Sequence, residues 1–178
     1  MTRKLEIGPS EGTRIDGDWI TLNSLGTADY KAEWGTDRLP FDDGTFSLVY
    51  ASHVLEHIPW FKTLDALKEV YRILEPKGLI EIWVPNFEYL VECYLVSKLG
   101  DDWRHENPNN DPMLWLNGRI FTYGGPLGLA DPNWHRAVFD VDYLQQCLEQ
   151  AGFHSIANLE KPRGYDHGPI NLGLSGIK

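Results

Sequence analysis

Cysteine is scarce in this chain: Cys93 and Cys147 are the only two in 178 residues. Both lie in stretches of helical periodicity, so no disulfide framework is expected, which fits a reducing compartment. Basic residues are also few. Lys and Arg total 16 against 26 Asp and Glu, giving a formal net charge of -10 and a pI near 4.9. No polybasic run offsets this balance, which argues against a nucleic-acid backbone or an anionic membrane as partner. No apolar run approaches the ~18 residues of a spanning helix, and Met1 to Leu5 has no apolar signal core. The expectation is a soluble, cytoplasmic protein. Repeats and low-complexity tracts are absent as well. What is present is ordinary for a globular chain: 42% hydrophobic and 24% charged residues, in a length that suits one domain, 1–178. Such a chain buries roughly 70% of its unfolded surface without a covalent or metal staple.

Strand and helix patterns alternate along the chain. Leu5 to Ile7 reads as a buried strand closed by Gly8-Pro9, Trp19 to Leu22 as a second, and Ala28 to Trp34 as a weaker third. Phe46 to Ala51 and Leu79 to Val84 are the clearest strands. Between them, Leu64, Leu67, Val70, Tyr71 and Leu74 share one face of a helix from about Thr63, which stops at Pro76-Lys77-Gly78. Asn86 caps a second helix expected to end at Gly100, and Asp140 opens a third that ends at Gly152. Phe153 to Leu159 and Ile170 to Leu174 read as closing strands. This order implies an α/β fold with a mainly parallel sheet covered on both faces.

Two stretches break the pattern. Gly8 to Asp18 is shorter than the dozen or so residues that a parallel crossover needs, so the first crossover helix is reduced to a stub. Residues 101–139 are glycine- and proline-punctuated, with Trp103, Trp115, Tyr123 and Trp134 among them. Asp111-Pro112 ahead of Met113 to Leu116, with Gly118 to close, predicts one or two helical turns. A long irregular segment is commonly a lid or a substrate-side insertion, or it staples itself to the core through its aromatic residues.

The glycine turn Gly8–Gly12 lets backbone N–H groups approach a ligand, with Glu6 beside it. Ser10 stands where a pyrophosphate fingerprint has its middle glycine, so a dinucleotide cradle is poorly supported. His53 to His57 spells H-x-x-E-H, an inverted zinc-protease signature. That chemistry needs both histidines on one face of a long helix. Here a strand ends at His53 and Pro59 follows closely, so the expected site holds no metal.

The segments LEIGPSEG (5–12), LPFDDGTFSLVYASHVLEHI (39–58) and LKEVYRILEPKGLIEIWVPN (67–86) together resemble class I S-adenosylmethionine-dependent methyltransferases. The likeness is nearest to the short type 11-like members, which are often linked to sugar, lipopolysaccharide or small-molecule modification. DPNWHRAVFDVDYLQQCLEQAGF (131–153) resembles the family's late segment, and INLGLSGIK its last strand. The resemblance implies a Rossmann-like, seven-stranded sheet of order 3-2-1-4-5-7-6 with the last strand antiparallel. It implies S-adenosyl-L-methionine as cofactor and methyl transfer to a small-molecule or glycan-type acceptor.

Carried over residue by residue, Glu6, Gly8, Pro9, Ser10 and Gly12 match the turn around the cofactor's methionine part. Asn23 stands where the family has an acidic ribose ligand, and Gly35, with Asp37 nearby, where it has an Asp near the adenine amine. Leu39 and Ile58 would sandwich the adenine, and Ser52 and His53 would form the cofactor wall. On the substrate side, Glu56 and His57 would face the site mouth, joined by Trp115, Tyr123, Trp134 and Arg136. His135 is the candidate base, because imidazole accepts a proton near neutral pH. An amide at Asn23 brings no charge to the ribose hydroxyls. The alternative of a non-catalytic relative that binds or assembles therefore stays open.

Overall fold

The computed structural model describes residues 3–10, 12, 14–97, 111–122 and 131–178. Its elements, in chain order, are β1 (Lys4–Ile7), β2 (Ile20–Leu22), β3 (Phe46–Ser52), α1 (Thr63–Ile73), β4 (Leu74–Pro85) and α2 (Phe87–Ser97). After these come α3 (Pro112–Ile120), α4 (Val141–Ala151), β5 (His154–Asn158) and β6 (Asn171–Ile177). The strands form one sheet of order β2-β1-β3-β4-β6-β5. Only β6 runs against its neighbours, pairing antiparallel with both β4 and β5.

The sheet has six strands rather than the expected seven. The segment read as a third strand contributes a single bridge, Leu22 to Tyr30, at the β2 edge. Asp29 is the reason. Its carboxylate accepts from the Thr21 backbone N–H at 2.9 Å and from the Thr21 hydroxyl at 2.8 Å. A side chain thus takes the donor that a longer ladder would use. With that bridge counted as the third position, the strand order is the one the resemblance implies.

Alternation along the strands sorts side chains onto two faces. Leu5, Ile7, Val49, Ala51, Ile80, Ile82, Val84, Leu172 and Leu174 join the main core with Ala66, Leu67, Val70 and Ile73 of α1 and Leu144, Leu148 and Ala151 of α4. The opposite face carries a smaller cluster of Trp19, Leu48, Tyr50 and Trp83, backed by Ile15, Leu79 and Leu159, none of them helical. The expected helical cover on both faces is therefore absent from this one among the described residues. Neither the β1–β2 nor the β2–β3 connection holds a described helix, so both crossovers are reduced rather than the first alone.

Local signals set the helix ends. The Asp140 side chain accepts from Tyr143 N at 2.7 Å, and Gly152 closes α4 in the left-handed region at φ 108°. Asp111 caps α3 by accepting from Met113 N and Leu114 N, and the helix runs past Gly118 to Ile120. Asn86 Oδ1 accepts from Tyr89 N at the start of α2. Helix α1 ends at Ile73, before the proline. Residues 74–78 instead enter β4 as an irregularity, since Phe46 pairs with Leu74 while Leu48 pairs with Leu79. Among the described residues, no helix is long and apolar enough to cross a membrane. Cys93 and Cys147 are both free.

Candidate functional site

A cleft of about 720 Å³ opens at the carboxyl ends of β1, β2 and β3, the place where open α/β sheets take ligands. Gly8 turns the chain out of β1 at φ 76°, and its N–H donates to Leu22 O at 2.7 Å. A Cβ there would lie 2.3 Å from Val54 Cγ2, so only glycine fits this turn. Glu6 is buried beside the turn, and its carboxylate accepts from Ile15 N at 3.1 and 3.3 Å. Burial holds its carboxyl above the ordinary value, with the Ile15 N–H and Arg14 opposing that rise. Across the cleft, Asn23 Nδ2 donates to Pro9 O at 2.9 Å, and Asn23 Oδ1 accepts from Leu25 N at 3.1 Å. The amide thus ties the glycine turn to the end of β2.

The cleft continues along the end of β3. His53 adopts φ 53°, a left-handed conformation that costs an L-residue about 1–2 kcal/mol. Asn171 Nδ2 donates to Asp166 Oδ1 at 2.7 Å, which turns Asn171 Oδ1 toward His53 Nε2 at 2.9 Å. That nitrogen must therefore donate. His53 Nδ1 stands 3.3 Å from Glu56 Oε1. Burial of the ring opposes its charge, but Glu56 and Asn171 outweigh it and raise the His53 pKa. The His167 ring lies 3.9 Å from that of His53, and burial, joined by the neighbouring His53, depresses His167 to about 4.

Glu56 sits one turn beyond β3 and is 1% exposed. Its backbone oxygen accepts from both Arg136 N (2.7 Å) and Ala137 N (3.1 Å), which ties the 131–139 segment to this turn. Burial pushes the Glu56 pKa up, yet His53, His57 and His135 together hold it below the ordinary value. The rings of His57 and His135 meet edge to face at 4.9 Å. Burial holds His135 below its ordinary pKa, against the pull of the Glu56 charge. Beyond this cluster lies a second cavity of about 600 Å³, walled by Trp60, Phe87, Ile120, Phe121, Val138 and Tyr143, with His135 and Arg136 at its polar side.

Of the residues named from the sequence, Glu6, Gly8, Pro9, Ser10, Asn23, Ser52, His53, His57, Ile58 and Arg136 all line the cleft. His135 lines the second cavity, and Arg136 borders both. Others stand elsewhere. Leu39 is a core residue at 2% exposure, and Gly12 is no part of either lining. The Asp37 carboxylate accepts from Glu33 N at 2.8 Å within its own turn. Glu56 is buried and is not among the residues that line the cleft. Trp115 is buried on α3, and neither it nor Trp134 lines either of these two cavities. Tyr123 lies outside the described residues. Tyr165 and His167 line the cleft and were not anticipated, because the loop from 160 to 167 has no periodicity to mark it.

The sequence matches the family model described as a methyltransferase domain over residues 10–158. It is 27% identical over 125 residues to the demethylmenaquinone methyltransferase of Staphylococcus haemolyticus, covering 67% of this chain and 45% of that protein. An uncharacterised protein of Methanocaldococcus jannaschii is 44% identical over 55 residues, 31% of this chain and 23% of its own length. The chain thus spans less than half the length of these curated relatives. In three dimensions it is similar to a solved S-adenosylmethionine-dependent methyltransferase of Thermotoga maritima, described as a possible histamine N-methyltransferase. That match has a TM-score of 0.59 at 17% identity, over 100% of this chain and 83% of the other. Strand order, cleft position and family match agree, and the chain belongs to the methyltransferase-domain family, with the Rossmann-like fold of the S-adenosylmethionine-dependent enzymes.

Proposed function

We propose that this chain binds S-adenosyl-L-methionine in the large cleft and transfers its methyl group to a small molecule with an apolar or ring-shaped face. The observation that carries this reading is the pairing of two cavities across a shared wall at Arg136. One opens over the glycine turn at the carboxyl edge of the sheet, and the other is walled by aromatic and aliphatic side chains. The methionine part of the cofactor is assigned to Glu6 and the turn from Gly8, the ribose to Asn23, and the adenine to the side of Ile58. The second cavity takes the acceptor, as described parts of the 101–139 insertion supply Ile120, Phe121 and residues 135–139 to its wall. A sulfonium methyl is intrinsically reactive, so holding donor and acceptor in line supplies much of the rate. The methyl leaves sulfur for the acceptor heteroatom, S-adenosylhomocysteine departs, and the acceptor's proton passes to a neutral imidazole or to water. A location in a reducing cytoplasm belongs to the same reading.

A second reading rests on Asn23. Its amide is engaged by Pro9 O and Leu25 N, which suits a relative that keeps the fold as a binding or assembly protein. Calorimetric titration with S-adenosylhomocysteine separates the two. The enzyme reading expects one site of micromolar affinity, and transfer of labelled methyl from S-adenosylmethionine to a member of a panel of phenols, quinols and amines. A glycan panel run alongside tests the other acceptor class. Absence of binding heat at millimolar ligand rejects the enzyme reading.

A further inference from the structure

Glu56, His57 and His135 bring three donor side chains together, with one ligand atom from each within 4.8 Å of the others. Both Glu56 carboxylate oxygens and His57 Nδ1 are buried without a hydrogen-bond partner among the described residues. Burying an unpaired carboxylate is costly, and such groups are normally satisfied by a donor, a counter-charge or a metal. His53 Nδ1 lies 3.3 Å from Oε1 in an ion-pair contact, and its Nε2 is held by Asn171. That contact steadies Oε1 and leaves Oε2 without a partner among the described residues. We propose that Glu56, His57 and His135 bind a divalent transition-metal ion of the zinc class.

The donor set chooses the class. Two imidazole nitrogens with one carboxylate oxygen suit Zn²⁺ and its first-row neighbours, whereas Mg²⁺ and Ca²⁺ favour all-oxygen sites. The site does not follow the helix-borne spacing of H-x-x-E-H. His53 orients rather than ligates, and the third donor comes from the distant 131–139 segment. That segment is fixed to the same turn by the Arg136 and Ala137 N–H bonds to Glu56 O. His57 borders the cofactor cleft and His135 the second cavity, so the ion stands in the wall between them. His135 would then meet an acceptor through the ion rather than as a free base. The site stands on side-chain geometry alone and goes beyond the methyl-transfer reading.

The test uses untagged full chain, stripped with a chelator and then titrated with Zn²⁺ by calorimetry and with Co²⁺ by visible absorption. One equivalent of Zn²⁺ should bind at submicromolar affinity, and Co²⁺ should give the intense band of a four- or five-coordinate ion. Glu56→Gln and His135→Ala should each weaken Zn²⁺ at least about tenfold, an effect that second-sphere changes alone can reach. The exposed control His154→Ala should leave affinity unchanged. Circular dichroism and melting temperature check each sample, and His135→Gln replaces the alanine variant should that one not fold. Failure of the wild type to take up one equivalent overturns the proposal, as does unchanged affinity in a folded His135 variant. Titrating S-adenosylhomocysteine into the same samples keeps the two readings apart. Cofactor binding without metal refutes this proposal alone, and metal binding without cofactor refutes the methyl-transfer reading alone.

Discussion

Substituting the two glycines of the first turn should have opposite consequences, although the sequence presents them alike. Gly8 has φ 76°, and an added Cβ would fall 2.3 Å from Val54 Cγ2 and 2.9 Å from Val54 Cγ1. The left-handed conformation costs Gly8→Ala about 1–2 kcal/mol. Overpacking against Val54 adds about 1–3 kcal/mol. Val54 is only half-buried and gives way in part, so we expect a loss of about 3 kcal/mol, or roughly 6–12 °C in Tm for a chain of this length. At Gly12 an added Cβ meets nothing within 4 Å and φ is not in the left-handed region. Gly12→Ala should lie between no change and about 1 kcal/mol of added stability, through the unfolded chain. Urea unfolding followed by tryptophan fluorescence measures both. Adding Val54→Ala to Gly8→Ala should recover the packing part and leave the backbone part, a coupling of about 1–2 kcal/mol. A Gly8→Ala protein within about 0.5 kcal/mol of wild type would refute the close-approach argument, and zero coupling would refute the role of Val54.

Arg72 donates to the carbonyls of Leu39 and Phe41 and to the carboxylates of Asp43 and Glu69. Arg72→Met should therefore cost about 2–4 kcal/mol in chemical denaturation, since it strips several charge-assisted bonds at once. Hydrogen bonding to Arg72 holds both Asp43 and Glu69 below the ordinary carboxylate pKa. Their stabilisation is thus complete above about pH 5 and lost as pH falls through the lowered folded values. The stability of Arg72→Met, measured from pH 6 downward, should fall less steeply than that of the wild type, and a parallel fall would sink the assignment. Gly35→Asp, which restores an acidic residue of the family pattern, should destabilise rather than add a cofactor anchor. Gly35 has φ 88°, and a Cβ would lie 2.6 Å from Ile58 Cγ2, so melting temperature should drop and S-adenosylhomocysteine affinity should not rise. Asn23→Asp loses the donor to Pro9 O, about 1 kcal/mol of stability, but offers the ribose hydroxyls a charged acceptor worth about 1.5–3 kcal/mol. S-adenosylhomocysteine should bind about fivefold tighter to it, and weaker binding in calorimetry would remove the ribose from Asn23.

Much of the frame was legible because its signals are local. Asp140 and Gly152 bracket α4 through one cap bond and one left-handed residue, and both effects act within a single turn. The apolar spacing from Leu64 to Leu74 marks α1 for the same reason. The missing strand was not legible, because Ala28 to Trp34 carries enough alternation to pass as one. Whether it pairs is decided by the Asp29 carboxylate taking the Thr21 N–H, a contact made across the β2 edge. The site shows the same division. Gly8, Ser10 and Ser52 sit at strand ends, and a strand end can be read from the chain. Glu56 and His57 could be named as a pair, but their meeting with His135 depends on the 131–139 segment folding over Glu56 O. No spacing rule spans that distance. Tyr165 and His167 reach the cleft from a loop whose path is set by Gly164 N donating to the Tyr50 hydroxyl at 3.4 Å and by Arg163 gripping Glu81 at 2.6 Å.

The reduced crossovers change what holds the cleft side of the sheet. A full helix after β1 would direct its N-terminal N–H groups at a ligand and cover the strands behind it. Here the cover is a tryptophan cluster, in which Trp19 packs edge to face on Tyr50 at 6.2 Å and Lys4 Nζ lies 5.1 Å from the Trp19 ring. On that same face Gly173 sits under Trp83, where a Cβ would be 2.5 Å from the indole. Anchoring passes to side chains instead: Glu6 holds Ile15 N, and Asn23 holds Pro9 O. Each of these two residues both shapes the turn and lines the cleft. A ligand that takes over the hydrogen bond of Glu6 or Asn23 would displace Ile15 N or Pro9 O, so that ligand contact and anchoring of the turn would be coupled. In a helix-backed site these are separate properties, because the backbone of the turn is held by the helix whether or not ligand is present.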